Sequence, residues 1–506
     1  MIAAGILGFF LAATTTLWRV GWPAPQVHDE FSYLLAADTF AHGRLANPPH
    51  PLGVFFESFH VLQQPVYVSK YPPAQGAVLA LGQVLTGRPI VGVWISYGLM
   101  SAAFAWMLLA WFPRPVAVGG AVVAALYLTA FQSGSWVASY WGGAVAATGG
   151  ALLFGGLKRV LDGKSASAAG LLAVGMGILA NSRPYEGLLV SLPPAICLVA
   201  WLWSHRAVPR QSAVRAGAAA GVVLLLTAAF IGVYDLRITG QGWKLPYQAY
   251  DETYGADSPF IWGRTRTATY HHAVMKQYYD SPTQHPPRTL AAWVASLQKK
   301  FDTYRGLFLP SFAGVLILLV PAVLRDRKFW LPAASVGLAG LGLLGETWTL
   351  GHYAAPLVAP LLLLLTAAAQ RLALLSVGRV PAGRYLLHGV LACTLVSALV
   401  PPFVRAARSS TRPEKWYERR VGIERRLQAS GVPHLILVDY GPAHRPNKEW
   451  VYNRAEIDAS PVVWARSMGA DEDARLLQYY PDRAVWALHV TDDDGPFELQ
   501  PLREPR

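Results

Sequence analysis

The chain runs to 506 residues, 53% of them hydrophobic and only 14% charged, where a soluble protein carries about a quarter charged residues; an ordinary soluble enzyme is excluded. The net charge of +13 would suit nucleic acid, but the basic side chains cluster in short loops between apolar runs, which membrane topology explains and nucleic-acid binding does not. Both cysteines, Cys197 and Cys393, sit inside apolar runs, so neither a disulfide framework nor a metal motif follows.

Segments 1–18, 89–112, 115–157 and 216–234 carry no charge at all. A helix needs about 20 apolar residues to cross a hydrocarbon core. The first run lacks a basic start and exceeds the usual signal-peptide core, so it reads as a first membrane helix. Length and flanking charge predict about eleven spans: 2–20, 90–112, 115–132, 141–157, 166–181, 184–203, 213–234, 307–324, 329–345, 352–370 and 384–402. The stretch 74–85 is too short to span comfortably and reads as a helix lying in the interface.

Alternate loops carry Arg114; Lys158, Arg159 and Lys164; Arg206, Arg210 and Arg215; Arg325, Arg327 and Lys328; and Arg371, Arg379 and Arg384. That bias marks cytoplasmic loops. The outward set is then 21–89, 133–140, the turn near 181–184, 235–306, 346–351 and the tail after about 403. Two of these, 21–89 and 235–306, are long, and long loops tend to be functional. Residues 404–506 form a polar tail with short β-branched and aromatic runs at 435–440, 462–465 and 484–490, behind a helix-like stretch at 414–428. The expected architecture is an all-α polytopic membrane module over 1–403 with a small α/β domain outside the membrane over 404–506.

Candidate chemistry lies on the outward side. His28-Asp29-Glu30 opens a predicted helix about ten residues past the first span. Acids near a bilayer are kept mainly for function or pairing, although an acidic pair also suits a helix N-terminus. Lys70-Tyr71-Pro72-Pro73 precedes the interfacial helix; its lysine suits a lipid phosphate or simply snorkels. Arg183, in the turn Asn181-Ser182-Arg183-Pro184-Tyr185-Glu186, lies on the side poor in basic residues and needs a partner, either Glu186 or a phosphate. His352-Tyr353 follows Glu346 at the outer ends of two helices. The second long loop offers Lys244, Tyr247, Tyr250, Asp251, Glu252, Tyr254, Trp262, Arg264 and Arg266, a mixture of rings, acids and bases that suits carbohydrate and also suits plain interfacial anchoring. No Gly-rich nucleotide loop, HExxH or CxxC motif occurs, so a cytoplasmic nucleotide site is not expected.

The order of these parts resembles the GT-C glycosyltransferases. It runs from a first span to an outer Asp-Glu, a Lys-x-Pro-Pro element, an interfacial helix and many spans, with a late His352-Tyr353-Ala-Ala-Pro356. The nearest likeness is to bacterial members of the protein O-mannosyltransferase and aminoarabinose lipid A transferase superfamily, over about 1–403. The resemblance implies a polyprenyl-phosphate sugar as donor and inverting transfer to a hydroxyl acceptor at the extracytoplasmic face of the bacterial inner membrane. It gives Asp29 the role of base, with Glu30 as alternate. Lys70, Arg183, His352, Tyr353, Arg264 and Arg266 would hold the donor phosphate. His28, Tyr71, Tyr140, Trp141, Tyr247, Tyr250, Asp251, Glu252 and Trp262 would line the sugar and acceptor sites. A divalent cation, Mg or Mn, is an open expectation, because Tyr140-Trp141-Gly142-Gly143 supplies no second acid where the family often has one. A transporter of lipid-linked sugar and a non-catalytic partner in polysaccharide assembly remain as alternative readings.

Overall fold

The computed structural model describes residues 1–131, 133–163, 166–204, 210–255, 258–263, 268–281, 284–308, 314–408, 414–491 and 497–504. Among them, six helices are long and apolar enough to cross a membrane: Ile2–Val20, Pro89–Trp111, Gly143–Leu161, Pro184–Trp203, Gln211–Thr239 and Gly351–Ala373. Arg114–Phe131, Ala166–Ala180, Trp330–Leu344 and Ala382–Arg408 add further helices where spans are expected. Apolar side chains face outward along them. Leu225 and Leu226 are 72% and 65% exposed, as a lipid-facing helix requires.

One expected span fails. The described part of 307–324 is not one helix: Leu290–Phe308 ends early in it, and Val315–Leu318 and Val320–Val323 are separate single turns. Pro321 sits in the first turn of the second. It has no N–H to give and its ring clashes with the carbonyl four residues back, so a continuous helix is broken there.

The membrane helices approach closely through small residues. A Cβ built on Gly8 would lie 2.3 Å from Ser101 Oγ, and one on Gly92 would lie 2.1 Å from the Val78 carbonyl oxygen. Small residues at such crossings let backbones touch where lipid offers no hydrophobic drive. The Gly92 contact seats the short helix Pro73–Thr86 on Pro89–Trp111. At 14 residues that helix is about 21 Å long, short of a span.

The first long loop holds helix His28–Ala41, a 3-10 turn at Gly53–Phe56, and a two-stranded pairing of β1 (Val61–Leu62) with β2 (Val68–Ser69). The second holds helices Pro246–Tyr254, Ala273–Tyr279 and the start of Leu290–Phe308. The C-terminal region folds as expected into a small α/β unit. Strands β3 (His434–Tyr440), β4 (Val462–Arg466), β5 (Ala484–Val490) and β6 (Glu498–Arg503) lie in the order β4-β3-β5-β6. The first three are parallel and β6 is antiparallel to β5. The unit does not stand apart: its core is continuous with Phe31, Leu35, Phe55, Phe56, Val61 and Tyr67 of the first loop.

Candidate active site

Helix His28–Ala41 starts where the acids sit, with Asp29 and Glu30 in its first turn, where the helix dipole favours negative charge. The two carboxyls have different surroundings. Glu30 is 2% exposed. Its oxygens accept the backbone N–H of Gln26 at 2.7 Å and of Tyr140 at 3.1 Å. Burial pushes it up to about 7, against those hydrogen bonds. Asp29 is only partly covered, and its Oδ1 accepts the Tyr71 hydroxyl. Burial raises its pKa too, while Lys70 and Arg183 pull it back down. Glu30 therefore clamps backbone, and Asp29 keeps an oxygen for something else.

Lys70 is buried. Its ammonium lies 4.6 Å from the Tyr250 ring centre, 5.5 Å from Tyr71 and 6.0 Å from Tyr247. Among the described residues it has neither a hydrogen-bond acceptor nor a carboxylate within 4 Å. Burial lowers its pKa, with Asp251 and Asp29 acting in the opposite direction. Each ring contributes about 0.5–2 kcal/mol, whereas desolvating one ion costs several. The rings offset only part of that cost, so the surroundings of this ammonium favour an added anion.

Arg183 lies 4.3 Å over the Tyr353 ring and 3.6 Å from Glu186 Oε1. Of the two partners considered for it, Glu186 or a phosphate, it has the first in a loose ion pair, and its charge also acts on Asp29. His352 is buried edge-on against Trp141, with ring centres 3.9 Å apart, and its Nδ1 has no partner among the described residues. Tyr247 packs edge-on against Tyr71 at 5.6 Å. The Tyr250 hydroxyl accepts the backbone N–H of His60 at 2.7 Å. Tyr140 is structural in its contacts: its hydroxyl donates to the Pro23 carbonyl at 2.8 Å and its own carbonyl accepts from Gln75.

Other expected residues lie elsewhere. Glu252 is half exposed and pairs with Lys244 at the surface. Trp262 is 67% exposed and stacks on Phe260 at 5.1 Å. Arg264 and Arg266 fall outside the described residues, as do Lys164 and Arg206.

Sequence reasoning passed over three contributors. Tyr33 stacks on Tyr71 at 4.5 Å, and its i+4 spacing from Asp29 was the available signal. His60 stacks at 5.7 Å on Tyr71, with no local cue. Glu346 is buried with both carboxyl oxygens unpartnered among the described residues, while Lys300 donates to its main-chain carbonyl instead. Burial, then Glu186, pushes that carboxyl up.

Among the described residues no group of three or more His, Cys, Asp or Glu is placed to hold a metal ion. The charged groups nearest in effect to Asp29 are cations, Lys70 and Arg183. The residues present do not fit a divalent cation beside Asp29.

A bundle of apolar helices with helical segments in its long loops and a small α/β unit is a fold shared with solved glycosyltransferase structures. The chain is similar to ArnT from Cupriavidus metallidurans in the apo state, with a TM-score of 0.52 and 15% identity over 97% of this chain and 93% of that one. Against the same protein bound to undecaprenyl phosphate the TM-score is 0.52 and the identity 14%, over 96% and 92%. The apo oligosaccharyltransferase of Archaeoglobus fulgidus gives a TM-score of 0.48 and 11% identity, over 88% and 63%. No family model and no curated protein matches the sequence. The resemblance expected from the order of motifs is thus matched at the level of fold.

Proposed function

We propose that the chain is a membrane glycosyltransferase that moves a sugar from a polyprenyl-phosphate donor to a hydroxyl acceptor at the extracytoplasmic face of the bacterial inner membrane. The observation that carries this reading is the buried ammonium of Lys70, with no ion pair within 4 Å among the described residues, whose charge acts on the partly open carboxyl of Asp29. The fold of ArnT, a protein that has been crystallised with undecaprenyl phosphate, supports a lipid phosphate as the anion. The side of the membrane rests on the basic loops, which place the 21–89 loop outward.

In this reading the donor phosphate lies between Lys70 and Arg183, and the prenyl chain enters from the bilayer. Asp29 keeps Oδ1 on Tyr71 and takes the acceptor proton on its other oxygen. The acceptor oxygen bonds to the anomeric carbon from the face opposite the phosphate. The carbon–oxygen bond to phosphate breaks, and its electron pair leaves with the phosphate, so configuration inverts. The two cations stabilise the charge growing on the leaving group in a dry site, where such stabilisation counts most. A bound phosphate also neutralises the cations that hold the Asp29 pKa down, which makes Asp29 a stronger base when donor is present. Tyr247 and Tyr250 wall the phosphate side, and Trp141 and His352 offer a face and an unpaired nitrogen to the sugar. Glu30 positions the catalytic turn.

The test uses purified full-length protein in lipid nanodiscs with synthetic polyprenyl-phosphate sugars and a mixture of hydroxyl acceptors. Release of polyprenyl phosphate with a glycosylated product supports the reading. Movement of intact donor between leaflets without release supports a transporter and refutes it.

A further inference from the structure

The C-terminal α/β unit has a feature that the transfer reading leaves unused. In open parallel sheets a ligand ordinarily sits in the crevice at the carboxyl ends of the strands. Here those ends are filled from within the chain. Arg466, at the end of β4, pairs with the buried Glu449 at 2.7 Å, and Glu449 also accepts the hydroxyl of Tyr440, at the end of β3. The remaining reach of Arg466 goes to the first outer loop, where its Nε donates to the Glu57 carbonyl at 2.9 Å. The crevice grips protein.

What it grips is the helix that carries Asp29. His28 Nε2 lies 2.7 Å from the Pro446 carbonyl. Burial holds this imidazole down to about 4, so near neutral pH it is uncharged and Nε2–H donates. Phe31 stacks on Tyr452 with ring centres 4.2 Å apart and planes 4° from parallel. Arg420 lies 5.1 Å over the same Phe31 ring, and its Nε and Nη2 donate to the carbonyls of Trp450 and Tyr452. One turn from the end of the helix, Asp38 accepts the backbone N–H of Ala455 at 2.8 Å on one oxygen and Gln83 of the interfacial helix at 2.8 Å on the other. Tyr67 donates to the Asn453 carbonyl at 3.1 Å, and Arg44 pairs with Glu456 at 2.9 Å. The 446–456 segment thus touches helix His28–Ala41 twice in its first turn, at His28 and Phe31, and again near its end at Asp38.

We propose that the C-terminal unit is a positioning element of the active site: the 446–456 strap fixes the rotation of helix His28–Ala41 and thereby the direction of the Asp29 carboxyl. Asp29 precedes Glu30, whose two backbone hydrogen bonds tie the same turn to the membrane side. The catalytic turn is held between the bundle and the strap, and rotation about the helix axis is opposed by the Phe31–Tyr452 stack. Misplacing a reacting group by about 1 Å costs on the order of a hundredfold in rate, so a domain remote from the donor phosphate governs turnover. The inference rests on the reading of Asp29 as base.

The test uses full-length Tyr452→Ala and Tyr452→Phe, the second keeping the stacked ring. Two readouts separate this inference from the function beneath it. Amide hydrogen exchange needs no substrate: Tyr452→Ala should speed exchange across 28–41 while Pro89–Trp111 stays protected, and Tyr452→Phe should match wild type. In the transfer assay Tyr452→Ala should lose about ten- to a hundredfold in kcat with donor KM little changed. Its acidic limb should move toward lower pH as the freed carboxyl becomes better solvated, and Tyr452→Phe should be restored on both counts. Unaltered exchange over 28–41 overturns the proposal whatever the rate. Faster exchange with kcat and pH limb unmoved also overturns it, because the helix is then loose without consequence. Asp29→Asn in the same assay judges the base reading separately.

Discussion

In the proposed mechanism Asp29 and Lys70 divide the work between a proton acceptor and an anion site, and each role makes its own prediction. A positioned base contributes about 10²–10⁴ in rate, so Asp29→Asn should lose at least about a hundredfold in kcat while polyprenyl phosphate still binds. Lys70→Met should weaken binding of polyprenyl phosphate and also slow turnover, because the same ammonium stabilises the leaving phosphate. A hydrogen bond to a charged group is worth about 1.5–3 kcal/mol, which converts to about ten- to a hundredfold weaker binding of polyprenyl phosphate by titration calorimetry. The pH dependence follows from sign. A base must be ionised, so kcat rises with pH through the Asp29 pKa, and burial places that limb above the ordinary aspartate range. Lys70 lowers this pKa, so Lys70→Met should move the limb to higher pH. A limb that stays put in that variant would show that another group titrates. Glu30 behaves differently: with both oxygens on backbone amides, Glu30→Ala should lower the melting temperature as well as the rate.

Among the elements, the crossing of Pro73–Thr86 with Pro89–Trp111 holds the Lys70 loop against the bundle. Gly92→Ala would drive a Cβ into the Val78 carbonyl, and overpacking of this kind costs about 1–3 kcal/mol. Detergent melting curves should show the loss, together with weaker lipid-phosphate binding. The helices were legible in the sequence because apolar runs and their basic flanks are local signals. The short helix Pro73–Thr86 was legible for the same reason, its 14 residues falling short of a span. The 307–324 segment was misjudged because apolar length alone hides what Pro321 does to the backbone. In the site, Asp29, Lys70 and Arg183 were legible as charges kept beside a bilayer at a cost. Their division of labour was not. That Glu30 spends its oxygens on Gln26 and Tyr140 depends on a contact across 110 positions, which no local pattern encodes. The stacking of His60 on Tyr71 and the orphaned Glu346 carboxyl are likewise products of tertiary packing.

At the scale of the whole molecule, the apolar helical bundle and a small mixed sheet meet at helix His28–Ala41. In the proposed mechanism the bundle supplies cations for a prenyl phosphate that arrives laterally, and the sheet grips the helix that carries Asp29. The fold of ArnT covers nearly the full length of both chains, so both parts belong to one architecture. The most direct measurement is single-turnover release of polyprenyl phosphate from a bound polyprenyl-phosphate sugar, in wild type and in Asp29→Asn, with donor binding measured on the same samples. The account predicts equal binding and release that falls by at least about a hundredfold in the variant. Equal binding with undiminished release would contradict it.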